Sequence, residues 1–342
     1  MGLDFKLRTL LKLNLKLFLE MHLLREGDFY NIPSGSTFYD GSDQSLFLAD
    51  AEAHRQYTGL SVGQVFQSPF KNFLYESGVP LDGTNVGLPP IIISGIYVQG
   101  AFRSPTDLEF GHIIDYRNGR IIFNQPKPLT LPVHANFSVR GTRVDFEHAF
   151  NQQFQAGLLE SKYFTNPLTS QHLVYTSGTV IQSFPAVFIE LDDRELKPYE
   201  MGNRSAQITE KVNLYVWALD DIQRDNIIEV LTGQWRKTIP IIDFNIMPLP
   251  LSGIHNTLSP EYIPYQNLLR NNRTVTTVGS GLPIRYLAYI DDATSKNSPA
   301  MEEYERSRVS YDLSIYLNAP TTPLGHVFGP ITNIPTIEDI GM

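Results

Sequence analysis

Between Lys211 and Leu231 the hydrophobic repeat of this chain changes its period. Val212, Leu214 and Val216 alternate with Asn213, Tyr215 and Trp217, which puts an apolar set on one face of a strand. Ile222, Ile227, Ile228 and Leu231 then recur at helical spacing, and Gly233 supplies a stop. Asp220 and Asp221 stand between the two patterns. Either carboxylate can accept N–H bonds from a first helical turn, and both suit the positive end of its dipole. The stretch predicts strand, acidic turn and amphipathic helix. Neither element can hide its apolar face alone, so the helix is expected to lie on the sheet that holds the strand.

A chain of 342 residues is long enough for a large core and predicts two domains. With 23 Pro, 24 Gly, 17 Tyr and 20 Phe, strands and ordered loops are favoured over a helical bundle, and the expected class is α+β. Cysteine is absent, which excludes disulfides and thiolate metal sites. The net charge of −9 argues against nucleic-acid binding as the main function, though it does not exclude a protein that DNA passes without sticking.

The region 1–26 reads as an N-terminal amphipathic helix. Leu3, Leu7, Leu10, Leu17, Phe18, Met21 and Leu24 form a helical stripe broken by Asn14, while Leu11, Leu13, Leu15, Leu17, Leu19 and Met21 suit a strand. Leu, Lys and Glu are helix formers without β-branching, which favours the helix. Lys6, Arg8, Lys12, Lys16 and Glu20 interrupt the apolar run, so it is read neither as a secretory signal nor as a membrane span. A cationic amphipathic helix suits a membrane surface; the plainer expectation is packing on the domain or a neighbouring subunit, with no membrane partner.

Residues 27–148 read as a β-rich, sandwich- or barrel-like domain. Ile91–Val98 looks buried, Asn118-Gly119 between Ile113-Ile114 and Ile121–Phe123 predicts a tight hairpin, and Val133–Val139 with Thr142–Phe146 predicts a strand pair across Gly141. A second domain is expected over 149–320. It comprises a helix at Glu147–Phe164, strands at Ala186–Leu191, Ile239–Phe244, Tyr286–Ile290 and Arg306–Leu317, and an extended Pro-rich arm over 247–285. The tail 321–342 is expected to be extended as well.

No catalytic constellation emerges. The eight histidines His22, His54, His112, His134, His148, His172, His255 and His326 never fall within four residues of one another, so no helical zinc pair is present. Phosphate loops, dinucleotide fingerprints and nucleophile elbows are also missing from the sequence. The run Glu190–Lys197 gathers Glu190, Asp192, Asp193 and Glu195 near Lys197. Such a cluster suits a Mg²⁺-dependent nuclease in principle, but a solvated turn leaving a strand accounts for it. The expectation is no catalytic residue, no cofactor and no metal. Apolar anchors in the Pro-rich segments, Ile254, Tyr262, Tyr265, Val327, Ile331 and Ile334, are the candidate interface residues.

The order of elements in the second half resembles the tail-terminator or tail-completion proteins of tailed-bacteriophage necks, over about residues 150–320. The resemblance rests on the helix Glu147–Phe164, the strand Ala186–Leu191, the strand–Asp-Asp–helix unit Lys211–Leu231, and a final strand entered through basic residues, ERSRVSYDLSIYL at Glu305–Leu317. It implies a terminator-like α/β domain, a mixed sheet with packed helices. It also implies a non-enzymatic virion protein at the head–tail junction, assembled in the host cytoplasm into a ring, usually of six copies. That ring would join the tail tube and sheath to the head connector and let genomic DNA pass without specific binding. The short terminators lack a domain like 27–148, so a baseplate or tail-fibre protein with a β-rich receptor-binding half is the alternative.

The period switch makes a direct test. Val216→Asp would bury an unpaired charge in the strand's apolar face, and no soluble folded protein is expected on expression. A soluble variant with an unchanged melting temperature would reject the strand assignment.

Overall fold

The computed structural model describes residues 7–37, 41–49, 60–76, 88–146, 185–198, 206–218, 220–242, 257–258, 284–297 and 305–317. The chain is of mixed α+β class, with two helices and four sheets among these residues. Helix α1 (Leu7–Arg25) comes first. Ten short strands follow: β1 (Phe29–Ile32), β2 (Leu48–Ala49), β3 (Val65–Gln67), β4 (Ile96–Val98), β5 (Ala101–Arg103), β6 (His112–Asp115), β7 (Arg120–Phe123), β8 (Val133–His134), β9 (Phe137–Arg140) and β10 (Arg143–Phe146). Then come β11 (Ala186–Pro198), β12 (Ala206–Ala218), α2 (Asp221–Thr232), β13 (Thr238–Ile242), β14 (Ile284–Asn297) and β15 (Glu305–Leu317).

The dominant element is a six-stranded sheet in the order β10-β11-β12-β15-β14-β13, antiparallel throughout except that β10 runs parallel to β11. Its central pair, β12 and β15, matches residue for residue from Ala206 opposite Leu317 to Ala218 opposite Glu305. The period-two reading of both strands holds: Val212, Leu214, Val216, Val309, Tyr311, Leu313 and Ile315 are all buried on one face. Helix α2 crosses that face, over β12, β15 and β14. The Tyr311 hydroxyl donates to the Leu231 carbonyl at 2.6 Å, where the last helical turn leaves acceptors open. Of the four apolar positions at helical spacing, Ile227 and Leu231 are buried and Ile228 is half-buried, but Ile222 is 71% exposed. It sits in the first turn, where Asp220 and Asp221 hold the chain at the solvent end of the sheet.

Helix α1 differs most from its expected character. The residues are helical, as their types favour, but the helix is not a one-sided surface element or a separate module. Leu7, Leu10, Leu11, Leu15, Leu17, Phe18, Leu19, Met21, Leu23 and Leu24 are all buried, and together they cover most of its circumference. The cause lies in the sheet. Asn14, which breaks the sequence stripe, is itself buried against the far end of β13: its Oδ1 accepts the Ile242 N–H at 3.0 Å and its Nδ2 donates to the Ile242 carbonyl at 3.2 Å. Two residues on, and so on the opposite side of the helix, the Lys16 ammonium lies 3.9 Å from Asp145 of β10. Strands β10 and β13 are the two edges of the sheet. One helix can touch both only if the sheet curls around it, and β-strand twist supplies such curvature. Each fully buried leucine contributes roughly 2 kcal/mol, so α1 is a main source of the core's stability.

The β-rich region is built from three small sheets, β1-β9, β2-β3-β7-β6 and β5-β4-β8, around a cluster of phenylalanines that includes Phe47, Phe73 and Phe137. The hairpin predicted at Asn118-Gly119 is present, joining β6 (His112–Asp115) to β7 (Arg120–Phe123). Its loop has four residues rather than two, and only Gly119 is left-handed, at φ +65°. A Cβ there would lie 1.9 Å from the Phe70 carbonyl oxygen, so glycine is required by space as well as by backbone. Within Ile91–Val98 only Ile96–Val98 forms a strand.

The predicted pairing across Gly141 does not form. Strand β9 (Phe137–Arg140) pairs with β1, whereas β10 leaves for the large sheet. Asp28 makes the corner: its backbone carbonyl accepts the Gly141 N–H at 3.1 Å and its carboxylate accepts the Thr142 N–H at 2.8 Å. A Cβ on Gly141 would collide with that carboxylate at 2.1 Å. The β-rich region therefore hands the chain over near residue 142, not 148, and one continuous buried cluster runs from α1 through the small sheets to the large one. Strands β11 and β14 also run on beyond their apolar parts, through Asp192–Lys197 and Asp291–Asn297. The helix expected at Glu147–Phe164, the arm up to residue 283 apart from 257–258, and everything beyond Leu317 lie outside the described residues.

Asn14→Ala would leave the Ile242 N–H and carbonyl buried without partners, at about 1–3 kcal/mol for each group. Urea unfolding is expected to show a loss of at least about 2 kcal/mol. An unchanged midpoint would mean that this amide does not hold the edge.

Candidate functional site

Three positions concentrate polar chemistry: the outer face of the six-stranded sheet, the start of α1, and a carboxylate on β10. On the outer face, alternate residues of four long strands align into rows. The Tyr215 hydroxyl donates to Glu190 at 2.5 Å. Asn213 donates to Asp192 at 3.1 Å and to Glu190 at 3.3 Å, and accepts from the Ser310 hydroxyl at 2.9 Å. The network thus ties β11, β12 and β15 together on the side away from the helices. The Arg306 guanidinium lies over the rings of Trp217 and Tyr215, with centroids 5.1 and 5.7 Å away. Chemically this part of the face is a hydrogen-bonded polar network, whose phenol, amide and hydroxyl are bound to neighbours.

The acidic run from Glu190 to Lys197 is strand, not the predicted turn. A bulge between Leu191 and Arg194 lets Asp192 and Asp193 pass without breaking the β11–β12 ladder. The bulge turns two carbonyls toward α1, where Arg8 Nη2 donates to Leu191 at 2.8 Å and to Asp192 at 2.5 Å. Arg8 Nε donates to the fully buried Glu210 at 2.9 Å, and Arg194 donates to the same carboxylate. Glu210 sits on the helix-facing side of β12 and would be costly there alone; two guanidinium groups are what make its burial tolerable. Sequence reasoning passed over Arg8 and Glu210, because their only signal is a charge at a position where the period of β12 calls for an apolar residue.

Asp145 is the third centre. Arg143 binds it at 2.7 Å, Arg117 from the β6–β7 loop lies at 3.5 Å and Lys16 at 3.9 Å. Burial alone pushes this carboxyl up, but Lys16, Arg143 and Arg117 together outweigh burial and hold it well below the usual carboxylate range. One turn along α1, Glu20 meets Arg140 at 3.6 Å, and that guanidinium lies over the Tyr75 ring. These charges fasten α1 and the β-rich region to the large sheet.

Asp220 is the helix cap, accepting the Gln223 N–H at 2.7 Å, while Asp221 opens the first turn. The described histidines stay apart. His22 is buried in α1 beside Phe18, His112 is buried on β6, and His134 meets Asp43 at 3.0 Å. His54, His148, His172, His255 and His326 fall outside the described residues, as do all six interface candidates, Ile254, Tyr262, Tyr265, Val327, Ile331 and Ile334. Among the described residues no three His, Asp or Glu side chains converge to hold a metal ion, and no helix is long and apolar enough to cross a membrane. No protein-family model matches the sequence, and no curated protein is significantly similar to it.

Asp145 sets an acid limb of stability. Its folded pKa lies below the unfolded value of about 3.9, so its contribution is complete above that value and is lost as the pH falls below it toward the folded pKa. Wild type is expected to lose up to about 1.4 kcal/mol more per pH unit than Asp145→Asn over this limb. Urea midpoints measured from neutral pH into the acid range check this, and parallel curves would overturn it.

Proposed function

We propose that this protein is a structural component of a tailed-bacteriophage neck, a terminator-like ring subunit that joins tail tube to head connector. The observation that carries the reading is the side-by-side pairing of β12 and β15 over thirteen residues. The strand–Asp220 cap–α2 unit and the basic-entry strand Glu305–Leu317, which suggested the resemblance from separate parts of the sequence, form the centre of one sheet. The edges of that sheet are poorly suited to strand addition. Pro240 lies in β13 and lacks an N–H, Asn14 occupies the end of that strand, and β10 carries the Asp145 charge cluster. Copies would then meet through faces and through the Pro-rich segments 247–285 and 318–342, whose apolar anchors suit a neighbour's surface. The net charge of −9 suits a lumen that DNA slides through.

Cryo-electron microscopy of purified particles is expected to show this chain as a ring at the head–tail junction. Removal of residues 318–342 is expected to leave a folded protein that assembles poorly with itself or with its neighbours. Finding the chain only as three-fold spikes at the distal tail tip would replace this reading with the baseplate or fibre alternative. Its absence from purified virions would end both.

A further inference from the structure

The outer face of the β14–β15 pair carries rows of like charge, of which only Asp312 has an opposite charge, Lys211 of β12, directly opposite it on the neighbouring strand. Lys296 stands directly opposite Arg308, and Asp292 directly opposite Asp312, with Thr294 opposite Ser310 between them. Like charges facing each other across a ladder are destabilising, and here two such pairs of opposite sign occur on the same two strands. Asp292, Thr294, Lys296 and Asp312 are exposed, Arg308 and Ser310 half-buried. Among the described residues none of the four charged groups makes an ion pair within the chain.

The pattern has a symmetry of its own. On each strand the cation and the carboxylate are four residues apart, about 13 Å, with a small hydroxyl residue midway. A two-fold axis along the Thr294–Ser310 row, in the plane of the face, exchanges the ends of the strip. It brings Lys296 onto the partner's Asp292 and Arg308 onto the partner's Asp312, and the reverse. The like-charge rows then become four ion pairs flanking a hydroxyl seam that is small enough for close approach. Lys211, which lies opposite Asp312 on β12, meets the partner's Tyr215 under the same rotation, a cation over an aromatic ring. We propose that this strip is a docking surface for a second copy of the chain, forming an isologous face-to-face pair. The face is the convex side of a curled sheet, so the contact is narrow and polar. It is therefore expected to be weak, sensitive to salt, and strengthened where many copies are held together.

The inference does not rest on the virion reading. It is decided with purified protein, whereas that reading is decided with particles. Two variants test it: Lys296→Glu with Arg308→Glu, which makes the strip wholly acidic, and Asp292→Lys with Asp312→Lys, which makes it wholly basic. Asp292, Lys296 and Asp312 are exposed and Arg308 is half-buried, and circular dichroism is used to check that each variant is folded. In sedimentation velocity at about 20 mM salt, the wild type is expected to show a concentration-dependent dimer that dissociates at about 500 mM. Each variant alone is expected to be monomeric at both salts. An equimolar mixture is expected to recover a one-to-one pair at low salt. Three results would overturn the proposal: a wild type that stays monomeric at low salt, variants that dimerise as the wild type does, or a mixture that fails to pair.

Discussion

The structure depends on one helix that two sheet edges share. A six-stranded sheet left open would present unpaired backbone at both margins and a single apolar face to cover. Curling it around α1 addresses both problems together. The leucines fill the concave side, Asn14 satisfies the backbone at the end of β13, and Lys16 and Arg8 reach the strands on the other side. The same demand explains why α1 is buried on nearly every side although five charges interrupt its sequence. Arg8 and Lys16 are placed where carboxylates or carbonyls of the sheet come within reach.

Burying those charges has consequences for how the parts are joined. Glu210 lies at the N-terminal end of α1 and Asp145 beside its middle, and each is held by more than one cation. Replacement of one partner would strand a buried charge. The charged contacts therefore set position more than they add stability: they fix where α1 sits along the sheet and how the β6–β7 loop meets β10. With Asp28 gripping the chain at Gly141 and Thr142, the β-rich region and the large sheet share a core.

Function follows from what this arrangement leaves outside. The concave face is filled and the edges are obstructed. Among the described residues, this leaves the exposed residues of the convex face, Asp292, Thr294, Lys296 and Asp312 among them, open to other molecules. That surface is ordered by its own hydrogen bonds and patterned in charge, features of a contact surface. The proposed neck ring and the proposed two-fold pairing of copies are compatible with each other, since the first needs contacts around an axis and the second a contact across one.

Much of this was legible in the sequence wherever an element has one wet face and one dry one. Strands β12 and β15, the Asp220 cap and helix α2 were readable because alternation, or a 3.6-residue repeat, records that asymmetry directly. The polar halves of β11 and β14 were not, because residues such as Asp193 and Thr294 face water and carry no apolar rhythm; only their ladders to β12 and β15 make them strands. Helix α1 was readable as a helix from its residue types, but its burial was not, since a stripe presumes a single buried side and the curled sheet covers several. Strand β10 looked like the mate of β9 because a glycine lay between them, whereas Asp28, more than a hundred residues earlier, sends it to β11. Arg8 and Glu210 are 202 residues apart, and nothing local announces that they meet. Local pattern determined which segments are strands or helices. Only the tertiary structure decided which edges meet and which charges are buried, because those depend on how the sheet curls and on contacts between residues far apart in the chain.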